Sequence, residues 1–141
     1  MFENVKNHNS LIEFYRENGL EVSNDIETED GAVVSLALTE KGKVISAATF
    51  SYRFGVFILD YIAVDINLRQ DGLGSKILKS ILQEARQKGT EKVYITAKNP
   101  EFFKSQGFRK GSPDGVDMNI DCLGCPLYNN GCAKLPMMIN L

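Results

Sequence analysis

A short glycine-containing segment stands between an apolar run and an amphipathic run. It reads Arg69-Gln-Asp-Gly-Leu-Gly-Ser75; the apolar run Val56–Val64 precedes it, and the amphipathic run extends to Lys88. This order predicts a buried strand, a tight turn and then a helix. The first N–H groups of a helix have no partner within it, and the helix dipole attracts anions to that end. Because glycine has no Cβ, a phosphate group can approach the backbone closely.

The turn by itself is compatible with two interpretations. It can hold a pyrophosphate group, or it can connect strand and helix without binding a ligand. The surrounding residues resemble the GNAT family of N-acetyltransferases. Arg69, Gly72 and Gly74 meet that family's pattern (Arg/Gln)-x-x-Gly-x-(Gly/Ala), and Ile62-Ala-Val-Asp65 resemble the end of its fourth strand.

A second landmark lies downstream of the turn. Asn99 and the segment Phe102-Phe-Lys-Ser-Gln-Gly-Phe108 are similar to the family's Asn … Phe-Tyr-x-x-x-Gly-Phe region. The resemblance extends over residues 43–111. It implies the GNAT acyl-CoA N-acyltransferase fold, an α/β (α+β) architecture with a mixed sheet. In that fold an antiparallel meander is followed by a strand, a P-loop-like turn, a helix and another strand.

The resemblance also implies an activity and a set of binding residues. A GNAT-type N-acetyltransferase transfers an acetyl (acyl) group from acetyl-CoA to a primary amine of a small molecule or protein, by direct attack in a ternary complex. The backbone of 70–75 would hold the pyrophosphate, Arg69 and Lys76 would add charge, and the backbone of 62–64 would meet the pantetheine. The implied acetyl-CoA-binding residues are Ile62, Ala63, Val64, Arg69, Gln70, Asp71, Gly72, Leu73, Gly74, Ser75, Asn99 and Phe103.

The catalytic groups are less directly indicated. Many relatives have a tyrosine at the position of Phe103, where it protonates the leaving thiolate, and phenylalanine cannot do this. Tyr94 and Tyr128 are candidate replacements. Asp60 is the candidate base because burial within an apolar strand raises the pKa of a carboxyl group. Two structural alternatives remain open: Asp60 as a hydrogen-bonded structural residue, and Asn99 as a helix cap.

Hydrophobic patterns predict the order of the elements. Strands are predicted over 33–39, 43–52, 56–64, 93–97 and 135–141. The clearest helix is predicted over about 72–88, ending at Gly89. A first helix is predicted after a cap at Asn9 or Ser10, with Glu13 placed to complete a capping box if Ser10 is the cap. Pro100 is predicted to begin a short later helix. The single histidine, His8, is expected on the surface.

Composition predicts one ordinary domain. The 141 residues are 43% hydrophobic with net charge −2, and we expect a single domain over 1–141 with a cysteine-containing loop at 121–133. No apolar run approaches the roughly 20 residues of a membrane span, and the first residues lack a signal-peptide pattern, so a cytoplasmic location is expected. A net-acidic chain is a poor match for nucleic acid. The sequence is compatible with a homodimer.

Charge is unevenly distributed. From Asp65 to Gly111, ten lysines and arginines stand against five acidic residues, which suits an anionic nucleotide ligand. The run Glu21–Asp30 contains five acidic residues. It is either a solvated loop or an entrance that attracts a cationic amine.

Three cysteines lie close together in the sequence, and the usual GNAT pattern lacks them. Cys122, Cys125 and Cys132 form a CxxC-x6-C cluster. It can be a zinc or iron–sulfur site, a redox or acyl-accepting pair, or a loop with plain thiols. Two alternatives to the enzyme follow. One is a non-catalytic acyl-CoA sensor, and the other is a member controlled by metal or redox state through this loop.

Overall fold

The computed structural model describes residues 2–20, 22, 33–53, 56–97, 100–111 and 135–141. Their strands are β1 (Glu3–Asn4), β2 (Val33–Glu40), β3 (Lys43–Arg53), β4 (Val56–Val64), β5 (Lys92–Ala97), β6 (Arg109–Lys110) and β7 (Leu135–Asn140). The α-helices are α1 (Ile12–Glu17), α2 (Leu73–Gln87) and α3 (Pro100–Ser105). Two 3-10 helices cover His8–Leu11 and Ile66–Asp71. The helices of the described residues include none long and apolar enough to cross a membrane.

The described strands form one mixed sheet. Their order is β1-β2-β3-β4-β5-β7-β6. β4 and β5 run parallel, and the neighbouring pairs on either side are antiparallel. This is the mixed α/β sheet that the sequence predicts, with a meander over β2, β3 and β4 followed by the turn, α2 and β5.

Each face of the sheet is covered by a different helix. α2 places Ile77, Leu78 and Ile81 against one face, and each of these side chains is at most 1% exposed. α1 places Phe14 and Tyr15 against the opposite face. Because side chains alternate along β3, this strand contributes to the hydrophobic clusters on both faces of the sheet. Ala48 and Phe50 belong to the cluster under α2, and Ala47 belongs to the cluster under α1.

β4 pairs with β3 along its whole length but with β5 only near its start. On the β3 side, Thr49 pairs with Tyr61 and Phe50 pairs with Leu59, which leaves Asp60 as the extra residue of a β-bulge. On the β5 side, the ladder consists of Phe57 with Val93 and Ile58 with Tyr94. The two strands therefore separate beyond Ile58, and the bulge lies where the separation begins.

Most predicted boundaries are close to the observed ones. β4 spans the predicted 56–64, and α2 is one residue shorter than predicted at each end. Gly89 has a φ of +83°, and the backbone N–H of Thr90 donates a hydrogen bond to the Ala85 carbonyl. A carbonyl group in the last turn of α2 is thereby hydrogen-bonded. The predicted capping box at Ser10 is wrong. α1 begins at Ile12, and the Ser10 hydroxyl donates to the Asn7 carbonyl instead.

Candidate functional site

The connection after β4 is fixed at two points. The Asp65 carboxylate accepts a hydrogen bond from the Asn67 N–H at 2.9 Å, and the Asp65 N–H donates to the Ile45 carbonyl at 2.8 Å. The Ile66 N–H donates to the Asn18 side-chain oxygen at 3.0 Å, which joins the end of α1 to this connection. The backbone of 66–71 is consequently held as a 3-10 helix rather than an open loop.

Gly72 lies between the end of the 3-10 helix and the start of α2. Its φ of +74° and ψ of +12° lie in the left-handed region, which costs other L-residues roughly 1–2 kcal/mol. A Cβ at Gly72 would meet no atom within 4 Å, so the backbone conformation, and not crowding, requires glycine here. No described side chain caps α2, and its first turn contains no acidic residue. The N-terminus of this 15-residue helix is therefore suited to an anion.

Gly74 lies where three elements meet. A Cβ at this position would be 3.4 Å from the Phe102 ring of α3 and 3.9 Å from the Val64 side chain at the end of β4. Phe102 is half-buried. The end of β4, the first turn of α2 and the Phe102 ring thus form one surface beside the helix N-terminus.

Gln106 is a site residue that sequence reasoning missed. Its Nε2 donates to the Ser75 hydroxyl oxygen at 2.9 Å and so positions Ser75 in the first turn of α2. Gln106 occupies a variable position of the family pattern, so the motif gave no signal for it. The predicted residues Gly72, Leu73, Gly74 and Ser75 are consecutive at this helix start.

Ile62, Ala63 and Val64 lie on the part of β4 that has separated from β5. This segment leads directly into the connection and the α2 N-terminus. A strand edge beside an anion site can receive an extended molecule with a phosphate at one end. The gap and the turn are therefore continuous, as an elongated nucleotide thioester would need.

Comparison with known proteins agrees with this geometry. A family model described as the GNAT family of acetyltransferases matches residues 3–108. The chain belongs to the GNAT family of acetyltransferases. The match includes β4, the turn, α2 and the Phe102–Phe108 segment, and it ends before the cysteine cluster.

Solved GNAT structures share the fold. An acetyltransferase from Bacillus cereus is 24% identical, with a TM-score of 0.62 over 94% of this chain and 87% of that one. A GNAT acetyltransferase from Elizabethkingia anophelis with acetyl-CoA bound is 19% identical, with a TM-score of 0.61 over 94% and 82% of the two chains. N-acetylglutamate synthase from Neisseria gonorrhoeae, complexed with coenzyme A and N-acetyl-glutamate, is 18% identical. Its TM-score is 0.70 over 100% of this chain and 35% of that one.

Phe103 occupies the GNAT tyrosine position and lies in the core. It is 5% exposed, and its ring makes edge contacts with Phe102 at 5.0 Å and Phe108 at 5.4 Å between ring centroids. The Phe102 ring, rather than that of Phe103, lies 3.4 Å from the Cβ position of Gly74 in the first turn of α2. A role for Phe103 in binding acetyl-CoA stays a prediction.

Asp60 lies on β4 at the point where β4 and β5 separate. It is half-buried, and Ser51, which is fully buried, donates a hydrogen bond to its Oδ2 at 2.5 Å. Tyr94, the other candidate within the described residues, pairs with Ile58 at the last rung between β4 and β5. Both candidates are therefore next to the point where the strands separate.

His8 is partly exposed, and it also makes a contact that the sequence does not predict. The imidazole is half-buried, and its Nδ1 is 2.8 Å from the Ser35 hydroxyl. Ser35 in turn contacts Thr49, and Thr49 contacts the Tyr15 hydroxyl, with both oxygen separations at 2.7 Å. Polar residues spaced this far apart in the sequence carry no common motif, so their assembly could not be anticipated.

Several predicted features lie outside the described residues. They are Asn99, Tyr128, Cys122, Cys125 and Cys132, together with all of Glu21–Asp30 except Val22. The side chains of Arg69, Gln70 and Asp71 are also outside them, although the backbone there is described. Within the described ranges, no group of three histidine, cysteine, aspartate or glutamate side chains is arranged to hold a metal ion.

Proposed function

We propose that this GNAT protein binds acetyl-CoA along the separated edge of β4 and transfers the acetyl group directly to a primary amine. The observation that carries the proposal is the continuity of two features. The β4–β5 ladder stops at Ile58 and Tyr94, and the free end of β4 leads to the uncapped N-terminus of α2. The acetyl-CoA bound to the E. anophelis relative supports the choice of ligand.

The pyrophosphate would bind at the start of α2. Backbone N–H groups of Leu73, Gly74 and Ser75 are those that an α-helix leaves without internal partners. Lys76 is exposed in the same turn and adds positive charge. The open space around the Cβ position of Gly72 would let a phosphate approach the start of the helix.

The pantetheine arm would extend along Ile62–Val64, which brings the thioester to the separation point near Asp60. The amine nitrogen attacks the thioester carbonyl carbon, so a C–N bond forms, the C–S bond breaks, and the electron pair of that bond leaves with sulfur. A backbone N–H of β4 would stabilise the oxyanion, a contribution of typically about 3 kcal/mol.

Asp60 would accept the proton of the amine. The carboxylate lies at the bulge, where the reacting groups would meet, and the Ser51 hydrogen bond would fix its orientation. The thiolate has an ordinary pKa near 8.5 and can leave without a strong acid, which fits a site with phenylalanine at 103. Tyr94 and Tyr128 remain the candidate proton donors to sulfur.

Two measurements test the proposal. Calorimetry gives the affinity for acetyl-CoA, and thiol release is then followed with four amine classes: an amino acid, a polyamine, an arylalkylamine and a lysine peptide. Asp60→Asn retains the size of the side chain but removes the base, so we expect kcat to fall about 100-fold with an unchanged Kd for acetyl-CoA. An unchanged kcat would remove Asp60 from the mechanism.

The alternative function is an acyl-CoA sensor. The specific observation in its favour is Phe103, a buried ring without the hydroxyl that many relatives use. A sensor would bind acetyl-CoA with micromolar or better affinity and release no thiol with any of the four amine classes. Failure to bind acetyl-CoA at all would contradict both functions.

A further inference from the structure

The end of α1 contacts β4 and its connection to α2 at two places. The Tyr15 ring of α1 lies against the Tyr61 ring of β4, with the ring centroids 5.2 Å apart. The Oδ1 of Asn18, the residue that follows the last residue of α1, accepts a hydrogen bond from the Ile66 N–H at 3.0 Å. Tyr15 and Asn18 are three positions apart, about one helical turn, and so reach β4 from the same side of α1. Their two contacts bracket the segment Ile62–Val64.

The bracketed segment of β4 is paired along one edge only. Residues 62–64 pair with residues 46–48 of β3, whereas no described residue of β5 pairs with them. A strand edge without a partner has unpaired backbone N–H and C=O groups. On the face that α1 covers, Ala63 is 7% exposed and belongs to the same hydrophobic cluster as Phe14 and Tyr15. α1 thus packs on this segment as well as contacting both of its ends.

The side-chain amide of Asn18 is hydrogen-bonded through both of its polar atoms. Its Nδ2 donates to the Phe14 carbonyl at 2.8 Å, and its Oδ1 accepts from the Ile66 N–H. The Phe14 carbonyl is one of the last four of α1, which helix geometry leaves without partners inside the helix. Because one contact needs a donor and the other needs an acceptor, the two together determine the orientation of the amide. A single side chain therefore joins the end of α1 to the start of the connection after β4.

We infer that Asn18 is a positioning residue for the pantetheine arm of acetyl-CoA. Together with the Tyr15 ring, it holds α1 against both ends of Ile62–Val64, so that the unpaired edge of this segment keeps the extended form that a pantetheine arm needs as a partner. Asn18 acts through the backbone of β4 and does not itself touch the cosubstrate. The inference rests on the proposed binding of acetyl-CoA along β4 and extends it to a residue of a different element.

Loss of Asn18 should affect one part of the acetyl-CoA site and spare the other. The hydrogen bond to Ile66 is exposed, so its removal leaves the N–H to water instead of burying it without a partner, and the fold should persist. The N–H groups of residues 73–75 belong to α2, which is held in the core by Ile77 and Leu78 and makes no contact with Asn18 that the structure describes. Binding of the pantetheine arm should therefore weaken, while binding of the pyrophosphate should not.

The first test compares two ligands by calorimetry. Acetyl-CoA contains the pantetheine arm, whereas adenosine 3′-phosphate 5′-diphosphate retains the nucleotide and the pyrophosphate without it. Asn18→Ala should raise the Kd for acetyl-CoA about fivefold and leave the Kd for the nucleotide unchanged. The matched control is Ser10→Ala, which removes another exposed hydrogen bond from a side chain to the backbone, that of the Ser10 hydroxyl to the Asn7 carbonyl, ahead of α1. It should change neither Kd.

The second test needs no ligand. Amide hydrogen exchange measured by NMR reports how well the Ile66 N–H is held. Asn18→Ala should speed the exchange of this N–H about tenfold and leave the exchange of Ile77 and Leu78 in α2 unchanged. Ser10→Ala should alter none of the three rates. An Ile66 rate that is the same in the wild type and in Asn18→Ala would overturn the inference, because Asn18 would then not hold the connection.

The ligand comparison can fail in two ways, and each overturns the inference. An unchanged acetyl-CoA Kd in Asn18→Ala would show that the contact with Ile66 does not matter for binding. An equal loss of affinity for both ligands would place the effect at the pyrophosphate and not at the pantetheine arm. Melting temperatures of the variants separate these effects from a loss of fold. If the wild type does not bind acetyl-CoA, the proposed function itself fails, and the exchange test still decides whether Asn18 holds Ile66.

Discussion

Gln106 donates a hydrogen bond from Nε2 to the Ser75 hydroxyl oxygen over 2.9 Å, and so connects the turn after α3 to the first turn of α2. The residue is half-buried and lies beside the proposed pyrophosphate site. Its neutral amide is compatible with a bound anion, whereas a carboxylate of the same shape would repel one.

Gln106→Glu is expected to weaken acetyl-CoA binding more than Gln106→Ala does. The alanine variant loses one hydrogen bond, worth about 1 kcal/mol. The glutamate variant places a negative charge close to the pyrophosphate, and at this partly exposed position we expect a further loss of roughly tenfold in affinity. Calorimetry at low and high salt measures both. Equal affinities of the two variants for acetyl-CoA would show that residue 106 is not close to the bound pyrophosphate.

Gly74→Ala should stabilise the fold and leave acetyl-CoA binding unchanged. Gly74 lies in a helix, where alanine is favoured over glycine by about 0.5–1 kcal/mol. Its new Cβ would face the Phe102 ring and the Val64 side chain rather than a bound phosphate, and the family pattern accepts alanine at this position. Calorimetry should give the wild-type Kd, and chemical unfolding measures the gain in stability. A Kd raised tenfold in a stable variant would contradict this placement of the phosphate.

Tyr15 should make the fold sensitive to high pH. Its pKa is raised in the folded protein, chiefly by burial, so folding favours the neutral phenol. This stability is fully present below the unfolded pKa near 10 and is lost as the pH rises above it. Relative to Tyr15→Phe, the wild type should lose roughly 1 kcal/mol of unfolding free energy between pH 9 and pH 11.

Denaturant unfolding of both proteins at the two pH values measures this difference, since the other tyrosines contribute equally to both. Parallel stability curves would show that the Tyr15 hydroxyl titrates normally. At neutral pH the Tyr15→Phe variant should be less stable by about 1 kcal/mol, because the hydrogen bond to Thr49 is lost.

Replacing Cys122, Cys125 and Cys132 together with serine should preserve acetyl transfer. Direct attack by the amine needs no acyl-cysteine, and the family match ends before these residues. Elemental analysis of protein purified anaerobically and without a histidine tag tests for zinc or iron held by the thiolates. Trapping of an acetyl-cysteine that forms and decays as fast as the overall reaction would contradict direct transfer.

The parts of the fold that sequence predicts are those where one local signal determines the outcome. The apolar run 56–64 and the periodic residues of α2 each specify a buried face, and their ends were correct within one residue. β1 was missed because its two residues gain order only by pairing with Ala37 and Leu36 of β2. The bulge at Asp60 depends on register with β3, which no local pattern encodes.

The candidate site was also predicted only where local sequence signals specify it. The turn from Gly72 to Ser75 was found because glycine spacing and a following helix are local features. Gln106 and the hydrogen bonds from Tyr15 to His8 were missed because they are tertiary contacts. Gln106 and Ser75 are 31 positions apart, and the bonded pairs between Tyr15 and His8 are 14 to 34 positions apart. The contact of His8 in particular was missed because nothing near it in the sequence indicates Ser35.

The affinity of Gly72 variants for acetyl-CoA tests the central claim most directly. Gly72→Glu would mix charge with backbone strain, because the φ of +74° disfavours other residues. Gly72→Asn and Gly72→Asp form a matched pair, since both side chains tolerate this conformation, have similar size and meet open space. Calorimetry should give a Kd for acetyl-CoA that is at least tenfold higher for Gly72→Asp than for Gly72→Asn. The two variants should have equal melting temperatures. Equal affinities in the two folded variants would contradict a pyrophosphate site at the start of α2.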